Sequence, residues 1–444
     1  MKEVNNLIKE EILSNWKENY ESSLRMTEYL KDGNRMFRGR YLKLLQIPKI
    51  YDSEDIKKFE EIVSTTYRIC EKMIQKYIDD ESYRDIFPLF SDKLKELILI
   101  PRRYESIMPI ARFDIFYNEE TKDFKFCEIN SDGTSGAQEE LSISEATLKE
   151  NAAVNAIKDK YKLEPFELYD TWIDTFSEIY KTYHKAVENP YIGIVDFLEK
   201  GIINEFETFE ERFRKKGYDV EICEIRDMKY INNELISPKG HKVDVVYRRA
   251  ITSDIEEEID KVQDFIKAVK DDNVCIIGPF CTHIPYSKWL FIAMWDKRTF
   301  DILNEEEVKF IKDHVPKTYL LSDEEVDLNE VKGNKDKYVL KPVDGYGSRN
   351  VYVGKMCSEE QWEKLINENT DGNHIIQEFC QPYKTENIYM PEDKEFKLYS
   401  NMPGLFSYNG KFKGVYSRLS DSEIISSDPS QYNKKVAPTL KIIN

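Results

Sequence analysis

Two carboxylates, an amide and a guanidinium alternate along a segment whose pattern predicts a β-hairpin. ARFDIFY and DFKFCEIN alternate apolar and polar residues around the polar turn NEETKD, as paired strands do. With the turn centred on Thr121, Asp114 lies opposite Glu128. Arg112 then lies opposite Asn130, and the period of two puts all four on one face. Close carboxylates repel unless a cation joins them, and this density of oxygen ligands favours Mg²⁺ together with substrate phosphate.

The same pattern also fits a solvent-facing polar strand, with Arg112 and Asp114 in surface ion pairs. The SDGTSG that follows favours a site, because its hydroxyls and its two glycines allow backbone amides to approach an anion. We expect Ser131, Thr134 and Ser135 of this segment to contact a substrate.

A second candidate is KYVLKPVDGYGSRNVYVG, which predicts a strand, a glycine loop and another strand. A loop that contains Gly345, Gly347 and Ser348 can fold over phosphates and donate backbone N–H groups, while Lys341 points inward as a charged ligand. The spacing differs from the GxxxxGK[ST] P-loop, and a tight hairpin turn is the alternative.

The strand HIIQEFCQPY ends in Gln377, Glu378, Phe379 and Cys380, whose backbone could face the edge of an adenine. An ordinary buried strand would look the same. Lys297 in WDKRTFDIL lies on a mostly apolar helix start and could reach a phosphate. Alternatively, it is a surface lysine whose stem covers apolar atoms.

Two further pairs draw attention at strand ends. Arg248 and Arg249 in VVYRRA could bind a peptide-like carboxylate, or could form a surface pair. Cys281 and His283 in GPFCTHIP suggest a Cys/His nucleophile, but the third group that would orient the histidine is missing.

The elements that must position these residues change along the chain. Residues 1–105 predict a helical region, from patterns such as LKDGNRMFRGRYLKLLQ, and 106–150 hold the metal-binding hairpin of the catalytic core. Residues 190–285 predict a small βαβ unit with a parallel sheet, which we interpret as a substrate domain. Residues 286–444 form a last αβ region, interpreted as nucleotide-binding lobes. The fold class is therefore α/β with α+β parts.

Composition excludes several classes of protein. A chain of 444 residues predicts two or three units, and its charge of −18 has the wrong sign for a nucleic-acid or membrane binder. No stretch is long and apolar enough to span a bilayer, and the N-terminus is unlike a secretion signal, so we expect a cytoplasmic protein. Seven scattered cysteines without a CxxC pair fit reduced thiols.

The ordered segments together resemble the ATP-grasp fold. Lys297, the PKT turn of HVPKTYLLS, Lys341 before a glycine loop and the QEF strand end follow one another as in that family. The E-x-N pair, Glu128 and Asn130, precedes them, and this permuted order is similar to the glutathione synthetase and glutathionylspermidine synthetase branch. The RxD and then ExN of the glutathionylspermidine synthetase ligase domain match ARFDIFY and FCEINSD. The resemblance covers roughly residues 105–420.

The resemblance implies a role for each candidate residue. Mg²⁺ would be held by Asp114, Glu128 and Asn130, and Arg112 would stabilise a negatively charged intermediate. Lys297 and Lys341 would bind the ATP phosphates beneath the loop at Gly345, Gly347 and Ser348. Adenine would lie against Gln377, Glu378, Phe379 and Cys380. The implied protein is an ADP-forming carbon–nitrogen ligase that joins a small carboxylate to an amine through an acyl phosphate.

Two departures leave the substrates open. The Cys-dependent amidase domain of the bifunctional members has no counterpart in the first hundred residues, and DGYGSRN differs from the usual glycine loop. The alternatives are a non-catalytic ATP-binding regulatory or scaffold module and a kinase on the same fold. The oligomeric state, with a homodimer as one option, also stays open.

Overall fold

The computed structural model describes residues 2–32, 41–324, 326–343, 350–425 and 434–443. The α-helices of these residues are α1 (Lys2–Ser14), α2 (Trp16–Asp32), α3 (Ser53–Asp79), α4 (Glu81–Arg84), α5 (Asp92–Ile98), α6 (Ala137–Glu150), α7 (Ala152–Ile157), α8 (Asp170–Tyr180), α9 (Ile203–Lys215), α10 (Thr252–Glu257), α11 (Gln263–Lys270), α12 (His283–Tyr286), α13 (Leu290–Trp295), α14 (Lys297–Phe300), α15 (Glu305–His314), α16 (Leu328–Gly333) and α17 (Glu359–Glu368).

The strands are β1 (Lys49–Tyr51), β2 (Ile110–Tyr117), β3 (Phe124–Asn130), β4 (Lys162–Pro165), β5 (Tyr191–Asp196), β6 (Asp219–Glu224), β7 (Lys229–Ile231), β8 (Glu234–Ile236), β9 (Val245–Arg248), β10 (Cys275–Ile277), β11 (Thr318–Leu320), β12 (Tyr338–Pro342), β13 (Tyr352–Val353), β14 (His374–Glu378), β15 (Lys384–Asn387), β16 (Lys397–Tyr408), β17 (Lys411–Ser420), β18 (Lys435–Ala437) and β19 (Thr439–Ile443). No helix of the described residues is long and apolar enough to cross a membrane.

The largest sheet is antiparallel and contains the predicted hairpin. Its order is β18–β17–β16–β2–β3, with β15 also paired to β16. The turn begins at Asn118, whose side chain accepts hydrogen bonds from the next residues' backbone N–H groups at Glu120 and Thr121. One face of β2 presents Phe113 and Ile115 to a core shared with α3. The other face carries the polar residues and is also covered, so β2 is buried on both sides.

The chain between α8 and α12 forms a parallel sheet of order β10–β9–β5–β6. All three of its pairings are parallel, and the four strands are those expected from the sequence. Buried phenylalanines at helical spacing, Phe206, Phe209 and Phe213, pack α9 against this sheet. The α/β fold class is confirmed, whereas the domain boundaries stay predictions.

The last αβ region contains a four-stranded sheet, β11–β14–β12–β13. β14 pairs antiparallel with both β11 and β12, and α16 and α17 cover the sheet through a small core that includes Leu340, Trp362 and Ile376. The loop with Gly345, Gly347 and Ser348 lies outside the described residues.

Within residues 1–105, α1 to α5 are helical, whereas two segments of this predicted helical region are not. Residues 41–47 are not helical, because the backbone N–H of Leu45 donates to the carbonyl of Val436 at 2.9 Å and Leu44 forms a bridge with the same residue. Lys49–Tyr51 forms β1, which pairs in parallel with β19 in a sheet of order β1–β19–β4. Pairing with the distant end of the chain therefore replaces local helix propensity here.

Helix α6, which follows the hairpin, buries a carboxyl group against β19. Oε1 of Glu140 accepts from Ser144 Oγ at 2.7 Å and from the backbone N–H of Thr439 at 2.8 Å, while Oε2 has no hydrogen-bond partner among the described residues. Burial raises the pKa of Glu140 to about 8, outweighing the hydrogen bonds that lower it. Below that pH, the Glu140 carboxyl group is therefore mostly protonated in the folded protein.

We predict that Glu140→Gln removes a pH dependence of stability. Because the folded pKa lies above the unfolded one, Glu140 costs stability as pH rises from about 4.3 towards 8. In urea unfolding, the free energy of unfolding should be similar for the variant and the parent at pH 4. As pH rises towards 8, the variant's value should increase relative to the parent's. Parallel curves from pH 4 to 8 would show that Glu140 ionises normally.

Candidate active site

The centre of the site is a carboxylate held between two arginines. Arg112 and Asp114 are two residues apart on β2, so they share a face, and the guanidinium contacts both carboxylate oxygens: Nε lies 2.8 Å from Oδ1 and Nη2 lies 3.1 Å from Oδ2. Arg418 reaches Asp114 from β17, with Nη2 at 2.5 Å from Oδ2. The exposures of Arg112 and Asp114 are 6% and 0%, which excludes the surface ion pair.

A glycine makes this approach possible, because β16 runs between β2 and β17. Gly404 pairs with Asp114 on one side and with Tyr416 on the other. A Cβ at this position would lie 2.5 Å from Asp114 Oδ1 and 2.7 Å from Arg112 Cδ. Any side chain here would therefore displace the cluster.

The cluster fixes the ionisation of its members. Burial by itself would raise the pKa of Asp114, but the charges of Arg112 and Arg418 hold it well below its ordinary value. Burial would likewise lower the pKa of Arg112, and the Asp114 carboxylate holds it above the ordinary value. Asp114 is thus an anion at any physiological pH.

The hairpin register is the one predicted from the sequence. Arg112 pairs with Asn130 and Asp114 pairs with Glu128. Asn130 Nδ2 lies 2.8 Å from Asp114 Oδ2 and 3.3 Å from Glu128 Oε1, so the amide sits between the two carboxylates. Arg418 Nη1 is 3.9 Å from Glu128 Oε1 and completes the charge balance.

These oxygens could receive a divalent cation. In the described residues, no three or more His, Cys, Asp and Glu side chains form a metal-binding group, so the candidate consists of two carboxylates and an amide. Asp114 is engaged by the arginines, whereas the side chain of Glu128 is 38% exposed and lines a cavity. Rotation of the Asn130 amide would turn its Oδ1 towards the same point. The donor set fits Mg²⁺, with Glu128 as its most available ligand.

The cavity beside Glu128 is closed by the four-stranded sheet. Lys341 on β12 donates to Gln377 Oε1 at 2.7 Å, and Gln377 donates to Thr318 Oγ1 at 2.8 Å. Lys341 lines this cavity, opposite Glu128 and Cys127. The residues predicted to contact adenine line it as well: Gln377, Glu378, Phe379 and Cys380. The structure therefore brings the hairpin and the strand end together around one space.

The order of groups along the cavity follows from the pairing of β12 with β14. Tyr338, which begins β12, lies opposite Glu378, and the Phe379 N–H donates to the Lys337 carbonyl at 2.7 Å. Lys341 lies three residues further along β12. The strand end at Phe379 and the charged group of Lys341 thus occupy successive positions along the cavity.

The phosphate-binding role of Lys297 stays a prediction, which its position does not favour. Lys297 is exposed at the start of α14 and does not line the cavity, whereas Lys288 does. The sequence pattern reads as one continuous helical stretch, but Asp296 ends α13 and caps α14, accepting from the N–H of Arg298 at 2.8 Å. Lys297 therefore begins a separate short helix, and Lys288, just before α13, is the lysine that lines the cavity.

The two arginines predicted to bind substrate are buried, at 3% and 5% exposure. Arg248 lies 2.7 Å from Asp132 Oδ1, and Arg249 donates to Glu205 Oε1 at 2.6 Å and to the Thr134 carbonyl. Both arginines thus tie the SDGTSG loop to the parallel sheet. A role in substrate binding stays a prediction that these contacts do not favour.

The loop is held from several directions. Glu205 accepts from the backbone N–H of Gly136 and of Gln138, both at 3.1 Å, which caps α6. Ser131 Oγ donates to the Thr282 carbonyl at 2.8 Å, and Thr134 Oγ1 donates to the Asn130 carbonyl at 2.8 Å. The carbonyl of Ser135 accepts from Arg112 Nη1. The substrate roles of Ser131, Thr134 and Ser135 stay predictions.

Sequence reasoning missed Arg418 and Lys288. Arg418 lies in YSRLS, an unremarkable strand, and only the pairing of β17 with β16 brings it to the hairpin. Lys288 precedes the apolar run WLFIAMW, a position from which a helix start presents its side chain to the neighbouring cleft. That position was the one available signal.

The comparisons with known proteins support an ATP-grasp-like ligase. The family model described as glutathionylspermidine synthase preATP-grasp matches residues 47–433, and the chain belongs to this family. The resemblance drawn from the sequence is thereby confirmed. No curated protein matches the chain in sequence.

One solved structure shows the same fold at low identity, and a second is less similar. A glutathione synthetase-like effector from Globodera pallida, in its apo form, has a TM-score of 0.59 and 13% identity, over 90% of this chain and 93% of that chain. D-cycloserine synthetase has a TM-score of 0.28 and 13% identity, over 47% of this chain and 67% of its own. The first likeness supports the architecture and nothing finer.

We predict that Asp114→Asn destabilises the fold by about 3–5 kcal/mol, because it leaves two buried guanidinium groups without their common anion. Asp301→Asn, an exposed control, should change stability by less than about 0.5 kcal/mol. Urea unfolding at pH 7 measures both. Since the folded pKa of Asp114 is lowered, the stabilisation it provides is lost as pH falls below about 3.9. Equal effects of the two substitutions at pH 7 would contradict this.

Proposed function

We propose that the protein is an ATP- and Mg²⁺-dependent ligase that forms an amide from a carboxylate and an amine through an acyl phosphate, releasing ADP. The observation that carries the proposal is the placement of Lys288 and Lys341 in one cavity with Glu128 of the hairpin. Two cations and an acidic metal ligand around one space suit a nucleoside triphosphate and its metal.

The nucleotide would lie along β12. Its base would occupy the end lined by Glu378 and Phe379, and its phosphates would meet Lys341 and Lys288. The present cavity is narrow, about 100 Å³ against the 300–1,000 Å³ usual for ligand pockets, so its walls must separate on binding. The contact of Lys341 with Gln377 would then be exchanged for one with phosphate.

Mg²⁺ would be held by Glu128 and Asn130, with Asp114 behind them. The ion would neutralise the negative charge that shifts among the phosphate oxygens during transfer. The chain's own contribution is to keep these oxygens and the two arginines of the cluster in place before substrate arrives. Such preorganised charge is usually the largest part of catalysis in phosphoryl and acyl transfer.

The reaction has two steps. A carboxylate oxygen attacks the γ-phosphorus, the bond to the β–γ bridging oxygen breaks, and ADP leaves. The amine nitrogen then attacks the acyl carbon, a C–N bond forms, the C–O bond to phosphate breaks, and the nitrogen loses a proton. Arg112 and Arg418, which both contact Asp114, would stabilise the charge that develops on the phosphoryl oxygens and on the tetrahedral oxyanion.

A screen of metabolite pools for ADP formation tests the proposal, with the product identified by mass as a new amide. ADP release should require a carboxylate and an amine together. Glu128→Gln should abolish the Mg²⁺-dependent turnover with the fold intact, because it removes the most available metal ligand. A stable phosphorylated product would indicate the kinase, and ATP binding without acceptor-stimulated turnover would indicate the non-catalytic module.

Lys288→Ala and Lys341→Ala should each weaken ATP binding by more than about tenfold, because a charge-assisted phosphate contact contributes about 1.5–3 kcal/mol. Lys297→Ala is the matched control and should leave the dissociation constant unchanged, since that side chain is exposed outside the cavity. Isothermal titration with a non-hydrolysable ATP analogue measures all three. Weakening by Lys297→Ala alone would restore the lysine predicted from the sequence.

A further inference from the structure

A second cavity lies beyond the phosphate end of the nucleotide cavity. Lys341 and Val343 are two residues apart, and the ladder continues to Val343, whose N–H donates to the Asn373 carbonyl at 2.9 Å. Their side chains therefore share a face. Lys341 lines the first cavity and Val343 lines the second. Ser287 and Lys288, which are adjacent in sequence, divide between the two cavities in the same way.

The metal hairpin places the second cavity at the same end. His283 lines the cavity, and its Nδ1 lies 3.5 Å from Asp132 Oδ2, two residues after Asn130. Ser131 Oγ also holds the segment before His283, through the Thr282 carbonyl. Three separate elements thus put this space next to the point where the phosphoryl group would be transferred.

The lining of the second cavity combines apolar side chains with three serines, His283 and one carboxylate. The helical region supplies Phe90 and Leu94, and α10 supplies Glu256, whose carboxylate accepts from Ser91 Oγ. Among the described residues that line the cavity, none is a lysine or an arginine. A carboxylate substrate would have no counter-ion here, whereas an ammonium would have one.

From this placement and lining, we propose that the cavity is the acceptor pocket, that it takes a compact primary amine with an apolar body, and that Glu256 attracts its ammonium. The proposal rests on the ligase function and names the substrate class of its second step. The open volume is about 200 Å³, room for a small molecule and not for a peptide. Leu89, which is 45% exposed, lies at the solvent side, so an amine can enter without crossing the nucleotide.

This assignment gives the helical region a role in specificity. Phe90 and Leu94 are buried, at 6% and 5% exposure, and limit the length of the amine. The ammonium would give a proton to the Glu256 carboxylate, and the free amine nitrogen would then attack the acyl carbon held at the neighbouring phosphate end. The helical region would therefore select the acceptor without touching the nucleotide.

Two acceptors separate the pocket from the ligase chemistry. Hydroxylamine is uncharged at neutral pH and traps any acyl phosphate as a hydroxamate, whereas n-butylamine is a cation and needs the pocket. Glu256→Gln should raise the KM for n-butylamine by about tenfold or more, with hydroxamate formation and the KM for ATP unchanged. Glu257→Gln is the control, since Glu257 is exposed and lies 3.4 Å from Lys200.

A size variant provides an independent measurement. Leu94→Ala should raise kcat/KM for n-hexylamine relative to n-butylamine, by about fourfold for each CH₂ that the enlarged cavity buries. Hydroxamate formation by this variant shows that it is folded.

An unchanged n-butylamine KM in Glu256→Gln, or a parent enzyme that forms hydroxamate but never uses n-butylamine, would overturn the acceptor pocket and leave the ligase standing. If no carboxylate supports hydroxamate formation, the ligase proposal fails, and the acceptor pocket fails with it.

Discussion

The ion cluster of Asp114 with Arg112 and Arg418 is the constraint on which the rest of the site depends. Three strands meet at it, and the middle one, β16, must carry glycine at position 404 for the side chains to touch. No single member of this buried cluster can be substituted without cost, because the remaining members would be buried charges without a counter-ion. The cluster therefore fixes the sheet register, and the register places Glu128 at the cavity.

The parallel sheet serves the same cluster from outside. Buried ion pairs of Arg248 with Asp132 and of Arg249 with Glu205 hold the SDGTSG loop, and the loop's Ser135 carbonyl accepts from Arg112. Burial raises the pKa of Asp132, but the Arg248 charge lowers it to about 2, so this pair persists across the physiological range. The parallel sheet is thus connected, through this loop, to the sheet that contains the candidate metal ligands.

Local patterns predicted the hairpin well. Strand periodicity and a short polar turn determine which residues of β2 and β3 face one another, and the register matches at Asp114 and Glu128. Local patterns do not predict contacts between residues that are far apart in the sequence. Leu45 pairs with Val436 instead of continuing a helix, and Arg418 reaches the site only through strand order. Lys288 lines the cavity and Lys297 does not, and the helix break at Asp296 between them leaves little trace in an apolar pattern.

The most direct measurement is a crystal structure with Mn²⁺ in place of Mg²⁺ and a non-hydrolysable ATP analogue, with the metal located by its anomalous scattering. The account predicts one metal peak within coordination distance of Glu128 and Asn130 oxygens, phosphates at Lys288 and Lys341, and the base against Phe379. A metal bound away from the hairpin, or a nucleotide outside the cavity between Glu128 and Lys341, would contradict it.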